Sequence, residues 1–155
     1  MFNKVLIANR GEIACRIAAT ASEIGLRTVA IYSEADSGSK HVSLCDEAFL
    51  IESSTPLESY LNQSEIINIA IKTGAGAIHP GYGFLSENSE FAQKVEEAGL
   101  IFVGPHFKAI EIMGHKDAAK KVMSKAGIPV VPGYHDENQT DERLKKEAES
   151  MVILF

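Results

Sequence analysis

The chain has 155 residues, of which 45% are hydrophobic, with 15 lysine and arginine residues against 21 aspartate and glutamate residues. This length fits one domain with a substantial core and the start of a second. A formal net charge of −6 argues against a nucleic-acid-binding surface, and no apolar run approaches transmembrane length.

Short apolar runs alternate with helical patterns along the first hundred or so residues. They predict strands at residues 4–8, 27–32, 48–51, 76–79 and 100–103. Strands that alternate with helices through short loops imply a parallel sheet with right-handed crossovers. We therefore expect residues 1–103 to form a doubly wound, Rossmann-like α/β domain that ends at Gly104-Pro105.

The helical patterns between these strands have apolar faces and recognisable ends. The first helix is predicted to begin at Gly11 and to end at Gly25. Its buried face is predicted to carry Ile13, Ile17, Ala21 and Ile24. A later helix is predicted to be capped by Asn62, with Glu65 three residues on as in a capping box. Another is predicted to begin near Ser86.

Residues 104–155 follow a different pattern. Two short helices are predicted between residues 108 and 126, and two prolines hold residues 128–133 in an extended conformation. Thr140 is predicted to cap a last helix whose acidic first turn and later lysines match the helix dipole. The last five residues, 151–155 (MVILF), are uncharged and have high β-propensity. We expect them to be disordered or to contact another molecule.

The run His79-Pro80-Gly81-Tyr82-Gly83-Phe84-Leu85-Ser86 is the most informative part of the chain. It follows a predicted strand, and ligands of parallel α/β sheets bind at the carboxyl ends of the strands. Glycine lets the backbone approach a ligand closely or turn with a positive φ. Tyr82 would present an aromatic face and a hydroxyl at the mouth of such a site. A tight turn with a packed tyrosine explains the residues alone equally well.

The first strand-to-helix turn, Ala8-Asn9-Arg10-Gly11-Glu12-Ile13, stands where a dinucleotide-binding fold has its phosphate loop. Its single glycine does not meet the GxGxxG pattern. Arg10 could meet an anion at this helix N-terminus. Glu12 and Arg16 are four residues apart, and we expect them to pair with each other.

Lys116 is the one other residue singled out by its position, because it follows Gly114 at the start of a predicted helix. A cation there could reach a phosphate, while a solvated lysine is the simpler interpretation. The chain has no GxxxxGK[ST], HExxH or GxSxG motif, and its five histidines do not have the spacing of a metal-ligand cluster. The residues alone thus predict a site at the strand ends without a complete catalytic set.

The two cysteines, Cys15 and Cys45, are far apart and lack metal-ligand spacing. Cys15 falls within an apolar helical pattern, which predicts a buried thiol. This usage is typical of a reducing cytosol or an organelle matrix. Because the first predicted strand follows Asn3 directly, we expect no signal peptide and a cytoplasmic or matrix location.

Four segments stand in an order and spacing that together resemble a known family. They are Ala8 to Ala14 (ANRGEIA), His79 to Asn88 (HPGYGFLSEN), Met113 to Lys116 (MGHK) and Ala126 to Gly133 (AGIPVVPG). Over nearly the whole chain, to about Glu149, they resemble the N-terminal part of biotin carboxylase, a subunit or domain of acyl-CoA carboxylases and pyruvate carboxylase. More distant ATP-grasp enzymes, such as carbamoyl phosphate synthetase, share the architecture but lack the GYGFLSEN run.

The resemblance implies a pre-ATP-grasp domain at residues 1–103 and the incomplete start of an ATP-grasp region at 104–155. Enzymes of this family use ATP and bicarbonate to carboxylate biotin on a carrier protein, with magnesium or manganese ions on the phosphates. It thus implies ATP, the metal ion and biotin as cofactors of a longer parent, with none bound tightly to this piece. The implied partners are a biotin carboxyl carrier protein or domain, other carboxylase subunits and a second copy, but neither nucleic acid nor membrane.

The resemblance also implies roles for five residues. Lys116 matches a lysine that contacts the ATP phosphates. Tyr82 and Gly83 match a loop beside the pocket where biotin and bicarbonate meet. Arg16 and Glu23 match positions at a dimer contact.

The family's remaining catalytic groups belong to later sequence. Its next strand carries a second ATP-binding lysine followed by a glycine-rich lid, and residues 151–155 hold neither. We therefore expect the 155-residue chain alone not to catalyse the reaction. Two other hypotheses stay open at this point: a non-catalytic short form that serves as an assembly or regulatory module, and another ATP-grasp ligase.

Overall fold

The computed structural model describes residues 2–52, 55–134, 136 and 138–150. Contacts divide the chain into two compact units, Met1–Glu111 and Ile112–Phe155. The domain boundary predicted at residue 103 stays a prediction. The expectation for residues 151–155 lies outside the described residues.

Strands and helices alternate along the first unit as the hydrophobic pattern predicts. The strands are β1 (Lys4–Ile7), β2 (Arg27–Tyr32), β3 (Glu47–Leu50), β4 (Ala77–His79) and β5 (Ile101–Phe102). The helices of the described residues are α1 (Gly11–Glu23), α2 (Lys40–Leu44), α3 (Pro56–Leu61), α4 (Gln63–Thr73), α5 (Ser89–Glu97), α6 (Phe107–Gly114), α7 (Lys116–Lys125) and α8 (Asp141–Ser150). A short 3₁₀ helix spans Glu34–Asp36.

The strands form an all-parallel sheet in the order β3-β2-β1-β4-β5, which confirms the predicted doubly wound α/β fold. Ile7 of the central strand β1 lies in register with Ala30 of β2 and with His79 of β4. The chain runs outward from β1 through β2 to β3 and then returns to the other side at β4. The strand order therefore reverses between β1 and β4, at the position where doubly wound sheets bind their ligands.

Among the described residues, side-chain caps fix the starts of three helices: Thr55 caps α3, Asn62 caps α4 and Asn88 caps α5. The side-chain oxygen of Asn62 accepts a hydrogen bond from the Glu65 amide at 3.1 Å, which confirms the predicted cap of α4. The helix predicted to begin near Ser86 begins at Ser89 instead. Asn88 is the reason, because its side-chain oxygen accepts from the Phe91 amide at 2.8 Å and so fixes the first turn of α5 there.

The largest core cluster joins the sheet to residues of α3, α4 and α5. It includes Leu6, Val29, Ile31, Ile78, Tyr60, Ile66, Ile69, Phe91 and Val95. Ile110 of α6 also belongs to it, with 8% of its surface exposed. The first unit is thus closed by residues that follow the last strand.

The predicted buried face of α1 is largely wrong. The buried residues of this helix are Ala14, Ala18 and Ala21, whereas 68% of the surface of Ile24 is exposed. Small side chains let the helix backbone approach the sheet closely, which leaves the isoleucines on its flank. Cys15 of the same helix is half-buried, not buried as predicted.

The flank of α1 forms one side of an open apolar groove, which we call the α1 groove. Its volume is about 450 Å³, and it is lined mainly by Phe2, Ile13, Ile17, Ile24, Leu26 and Val103. Arg16 and His79 add polar groups to the same lining.

As for membrane association, none of the described helices combines the length and the apolar character that a bilayer span requires.

Candidate functional site

The segments that leave β1 and β4 run side by side where the strand order reverses. The Ala8 amide donates to the carbonyl of His79 at 2.9 Å, so the two strands stay paired up to this point. We call residues 80–86, which follow β4, the tyrosine loop. Its position at the carboxyl edge of the sheet agrees with the location predicted for a ligand site.

Asn9 joins the end of β1 to the tyrosine loop. Its side-chain nitrogen donates to the carbonyl of Pro80 at 2.7 Å and to that of Tyr82 at 2.8 Å. Its side-chain oxygen accepts from the Arg10 amide at 2.9 Å. Only 2% of the residue is exposed, so these bonds are shielded from competing water.

The loop follows a path that glycine makes accessible. Gly81 has a φ of +67° and Gly83 a φ of +66°. A Cβ atom added at Gly81 would lie 2.7 Å from the side-chain nitrogen of Asn9. Phe84 has a φ of +40°, a conformation that is rare for a residue with a side chain. The ring of Phe84 stacks on Tyr60 with 5.1 Å between centroids, a contact that helps to hold this residue.

Tyr82 is exposed over 60% of its surface, although Asn9 holds the backbone of its loop. Its hydroxyl donates to the carboxylate of Glu12 at 2.8 Å, and this hydrogen bond raises the pKa of the Tyr82 phenol. The expected pairing of Glu12 with Arg16 is not found among the salt bridges of the described residues. The Glu12 carboxylate binds the phenol because the loop brings Tyr82 over the first turn of α1.

A second polar group closes the neighbouring part of the strand edge. Both oxygens of Asp36 accept hydrogen bonds from the Arg10 guanidinium, at 2.8 and 2.5 Å. Oδ2 also accepts from the Tyr60 hydroxyl at 2.8 Å and from the Ser33 hydroxyl at 3.1 Å. The Arg10 bonds lower the pKa of Asp36 to about 2, and burial together with the Asp36 bond raises the pKa of Tyr60 to about 12.

This group corrects the expectation that Arg10 could meet an anion. Asp36 follows β2, and a dinucleotide-binding fold commonly has a ribose-binding carboxylate after its second strand. Here that carboxylate is bound to Arg10, with only 4% of Asp36 exposed. The carboxylate at the position that binds ribose in a dinucleotide-binding fold is therefore engaged by the protein's own arginine.

His79 adds a half-buried imidazole at the end of β4. Its Nδ1 accepts from the Gly81 amide at 3.0 Å, so this nitrogen carries no proton. Burial lowers the pKa of His79. The ring therefore stays neutral at pH 7 and supports the first turn of the tyrosine loop.

Tyr82 and Gly83 lie next to each other in the tyrosine loop of the first unit, and Arg16 and Glu23 belong to α1 of the same unit. Arg16 and Glu23 are both exposed and lie two turns apart on α1, on one side of the helix. Lys116 is the exposed first residue of α7 in the second unit. In that unit, the side chains of Lys120 and other α7 lysines line a cavity of about 420 Å³ beside residues 130–134.

Sequence reasoning missed Asn9, Asp36 and Tyr60. A polar residue directly after a buried strand, as Asn9 is, was the available signal for the first. Asp36 and Tyr60 carried no such signal, because their contacts join segments far apart in the chain. Among the described residues, no group of three or more His, Cys, Asp or Glu side chains is placed to hold a metal ion.

Comparisons with known proteins agree on one family. A family model described as the N-terminal domain of biotin carboxylase matches residues 1–110. The alpha subunit of mitochondrial methylcrotonoyl-CoA carboxylase from Dictyostelium discoideum is 57% identical over 145 residues, which are 94% of this chain and 21% of that protein. Biotin carboxylase 1 of Bacillus subtilis is 53% identical over 133 residues, which are 86% of this chain and 30% of that protein.

Solved structures give the same result for the fold. The biotin carboxylase domain dimer of the Hydrogenobacter thermophilus 2-oxoglutarate carboxylase, in complex with MgADP, ADP and bicarbonate, has a TM-score of 0.91 and 50% identity to this chain. The match covers 99% of this chain and 34% of that one. The biotin carboxylase subunit of a pyruvate carboxylase has a TM-score of 0.84 and 55% identity over 97% of this chain and 33% of its own. The chain thus spans about a third or less of these relatives.

Proposed function

The chain belongs to the family of biotin carboxylase N-terminal domains, and we propose that it forms the N-terminal part of a biotin carboxylase. In this function ATP activates bicarbonate, and the activated carboxyl group is transferred to a nitrogen of biotin on a carrier protein. The observation that carries the proposal is the exposed tyrosine held over a fixed glycine loop where the strand order reverses. The relative solved with MgADP and bicarbonate supports it.

The tyrosine loop is proposed to border the pocket for biotin and bicarbonate. The exposed ring of Tyr82 offers an apolar face against which a bicyclic ligand can pack, while its hydroxyl is held by Glu12. Gly83 has no side chain, so a ligand can come close to the backbone beside it. Its positive φ explains why the loop needs glycine there.

Lys116 is proposed to contact the phosphates of ATP. It is the first residue of α7, where a cation adds to the unpaired backbone amides of a helix N-terminus. Magnesium would neutralise the phosphate charge as the phosphoryl group is transferred. Because the described residues offer no cluster of metal ligands, we assign the metal to none of their side chains.

Arg16 and Glu23 are proposed to contact a second copy of the protein. They are exposed on the same side of α1, and one solved relative is a dimer of biotin carboxylase domains. A carrier protein or domain and other carboxylase subunits are the further partners. A cytoplasmic or organelle-matrix location, and a role that includes acyl-CoA carboxylation for fatty acid biosynthesis, belong to the same proposal.

The test is biotin carboxylation by the longest polypeptide that the same reading frame encodes. Transfer of labelled bicarbonate to free biotin should depend on ATP. Lys116→Ala should raise KM for ATP at least tenfold, and the matched lysine variant Lys120→Ala should change it less than twofold. Tyr82→Ala should instead raise KM for biotin. A polypeptide that hydrolyses ATP without carboxylating biotin would contradict the proposal.

A further inference from the structure

We propose that Asn9 is a positioning residue that sets the backbone path of the tyrosine loop and thereby the placement of Tyr82 and Gly83. That biotin is the ligand presented to this loop rests on the proposed function. The positioning itself rests on the contacts of Asn9. Neither the resemblance described above nor the sequence pattern assigned a role to this side chain.

The bonding of Asn9 is what a positioning role requires. Its amide nitrogen has two protons, and both are directed to loop carbonyls, those of Pro80 and Tyr82. These two carbonyls flank Gly81, so one side chain fixes the backbone on both sides of the turn. Because the pair of bonds links the ends of β1 and β4, the loop is held to the most central strand of the sheet.

The other hydrogen bonds of Gly81 and Tyr82 are more local or more exposed. The bond from the Gly81 amide to His79 spans only two residues. The Tyr82 hydroxyl reaches Glu12, but both side chains are exposed and water competes for that bond. Tyr82 can therefore be oriented by Glu12 only after the backbone beneath it is fixed, and the buried amide of Asn9 does this.

The close packing of Asn9 against Gly81 also supports a positioning role for Asn9. A Cβ atom at Gly81 would approach the side-chain atoms of Asn9 to between 2.7 and 3.2 Å. The absence of a side chain at Gly81 thus makes room for the asparagine, in addition to allowing its positive φ. Asn9 and Gly81 thus pack against each other at the position where the strand order reverses.

The first experiment needs no substitution. Nuclear magnetic resonance on the 155-residue chain should detect through-hydrogen-bond couplings from the Asn9 side-chain nitrogen to the carbonyl carbons of Pro80 and Tyr82. The two side-chain protons should also exchange slowly with solvent, as expected for buried donors. If neither coupling is found and both protons exchange as fast as those of an exposed asparagine, the proposal is overturned.

The second experiment separates positioning from space filling. Asn9→Asp keeps the size of the side chain and its acceptor for the Arg10 amide, but it removes both donors. We expect Asn9→Asp and Asn9→Ala to accelerate amide exchange at residues 81–86 at least tenfold. The Tyr82 phenol should also titrate closer to the ordinary pKa of 10.0 once its bond to Glu12 is disturbed.

The matched control is Thr28→Val, which removes both hydrogen bonds between a buried hydroxyl and Asp46, at the end of β2 that lies away from the carboxyl edge of the sheet. It should leave exchange in the loop within twofold of the wild type. A loop that is unchanged in Asn9→Asp, or equally changed in Thr28→Val, would refute positioning by Asn9.

The functional readout uses the longest polypeptide of the reading frame. Asn9→Asp should raise KM for biotin at least fivefold while KM for ATP stays within twofold. Unchanged KM for biotin in an active enzyme overturns the positioning role. Intact couplings in a polypeptide that carboxylates no biotin support the placement of Asn9 and overturn the proposed function instead.

Discussion

Replacing Asp36 with asparagine tests the ion pair between Asp36 and Arg10. The carboxylate of Asp36 accepts two bonds from Arg10 and one each from the hydroxyls of Tyr60, Ser33 and Ser39. Asparagine keeps the shape of the side chain but removes its charge and half of its acceptor capacity. The 4% exposure of Asp36 means that water cannot replace the lost contacts on the carboxyl side.

The magnitude follows from the pKa of the carboxyl group. The bonds from Arg10, opposed by burial and helped by Tyr60 and Ser33, lower this pKa from 3.8 to about 2. One pKa unit corresponds to about 1.4 kcal/mol, so the ionised group contributes about 2 kcal/mol to the free energy of unfolding. Because the folded pKa lies below the unfolded one, the contribution is complete above pH 5 and is lost as the pH falls from about 4 to 2.

The assay is urea denaturation followed by circular dichroism at pH 7 and pH 3. We expect Asp36→Asn to be less stable than the wild type by about 2 kcal/mol at pH 7 and by about half of that at pH 3. The control is Glu34→Gln, an exposed acid in the same 3₁₀ helix, which should change stability by less than about 0.5 kcal/mol. Equal stability of Asp36→Asn and the wild type at pH 7 would refute the reasoning.

Three further predictions concern other parts of the chain. His41 is fully buried, and burial lowers the pKa of its imidazole. Unfolding therefore binds a proton, so the free energy of unfolding should fall as the pH drops below about 6.5. Urea titrations from pH 7 to pH 5 should show a smaller fall in His41→Gln than in the wild type. Gly81→Ala should lower the free energy of unfolding by about 1–3 kcal/mol, which is more than Gly25→Ala should. Both glycines have a positive φ, but only at Gly81 would the added Cβ atom also clash with Asn9. Equal losses of stability in thermal unfolding would contradict this. The 155-residue chain alone should show no bicarbonate-dependent hydrolysis of ATP, and hydrolysis above background in preparations free of host carboxylase would prove this wrong.

Local chemistry explains why much of the fold could be predicted. The apolar runs of the strands and the side-chain cap at Asn62 depend on residues close together in sequence, and the structure confirms them. The helix α5 begins three residues beyond the predicted start because the Asn88 side chain caps its first turn there. The buried face of α1 was missed because close packing favours Ala14 and Ala18 over larger isoleucines.

The sequence predicts where the candidate site lies but not which contacts hold it in place. A loop with two glycines after a buried strand indicated that a ligand site lies at the end of β4. What holds the loop comes from distant segments: Asn9 follows β1, and Tyr60 belongs to α3. Such pairs leave no periodicity in a single sequence, so Glu12 was paired with its helix neighbour Arg16 and not with Tyr82.

The last prediction concerns where the first folding unit ends. The sequence predicts that a polypeptide ending at Gly104 folds cooperatively, since an α/β unit of this size buries enough apolar surface to be stable alone. The structure adds that Ile110 belongs to the main core cluster, against which Phe107 also packs. A polypeptide ending at Gly104 lacks both side chains, whereas one ending at Glu111 keeps them.

Burying one isoleucine contributes about 2 kcal/mol, and Phe107 adds a further part because it is only partly buried. For a domain of roughly a hundred residues, 1 kcal/mol shifts Tm by about 4–8 °C. We therefore expect the polypeptide ending at Gly104 to melt cooperatively but at least about 10 °C below the one ending at Glu111. Ile110→Ala in the longer polypeptide should account for most of this difference. Equal melting temperatures for the two polypeptides would show that α6 adds nothing to the core, and the unit would then end with β5.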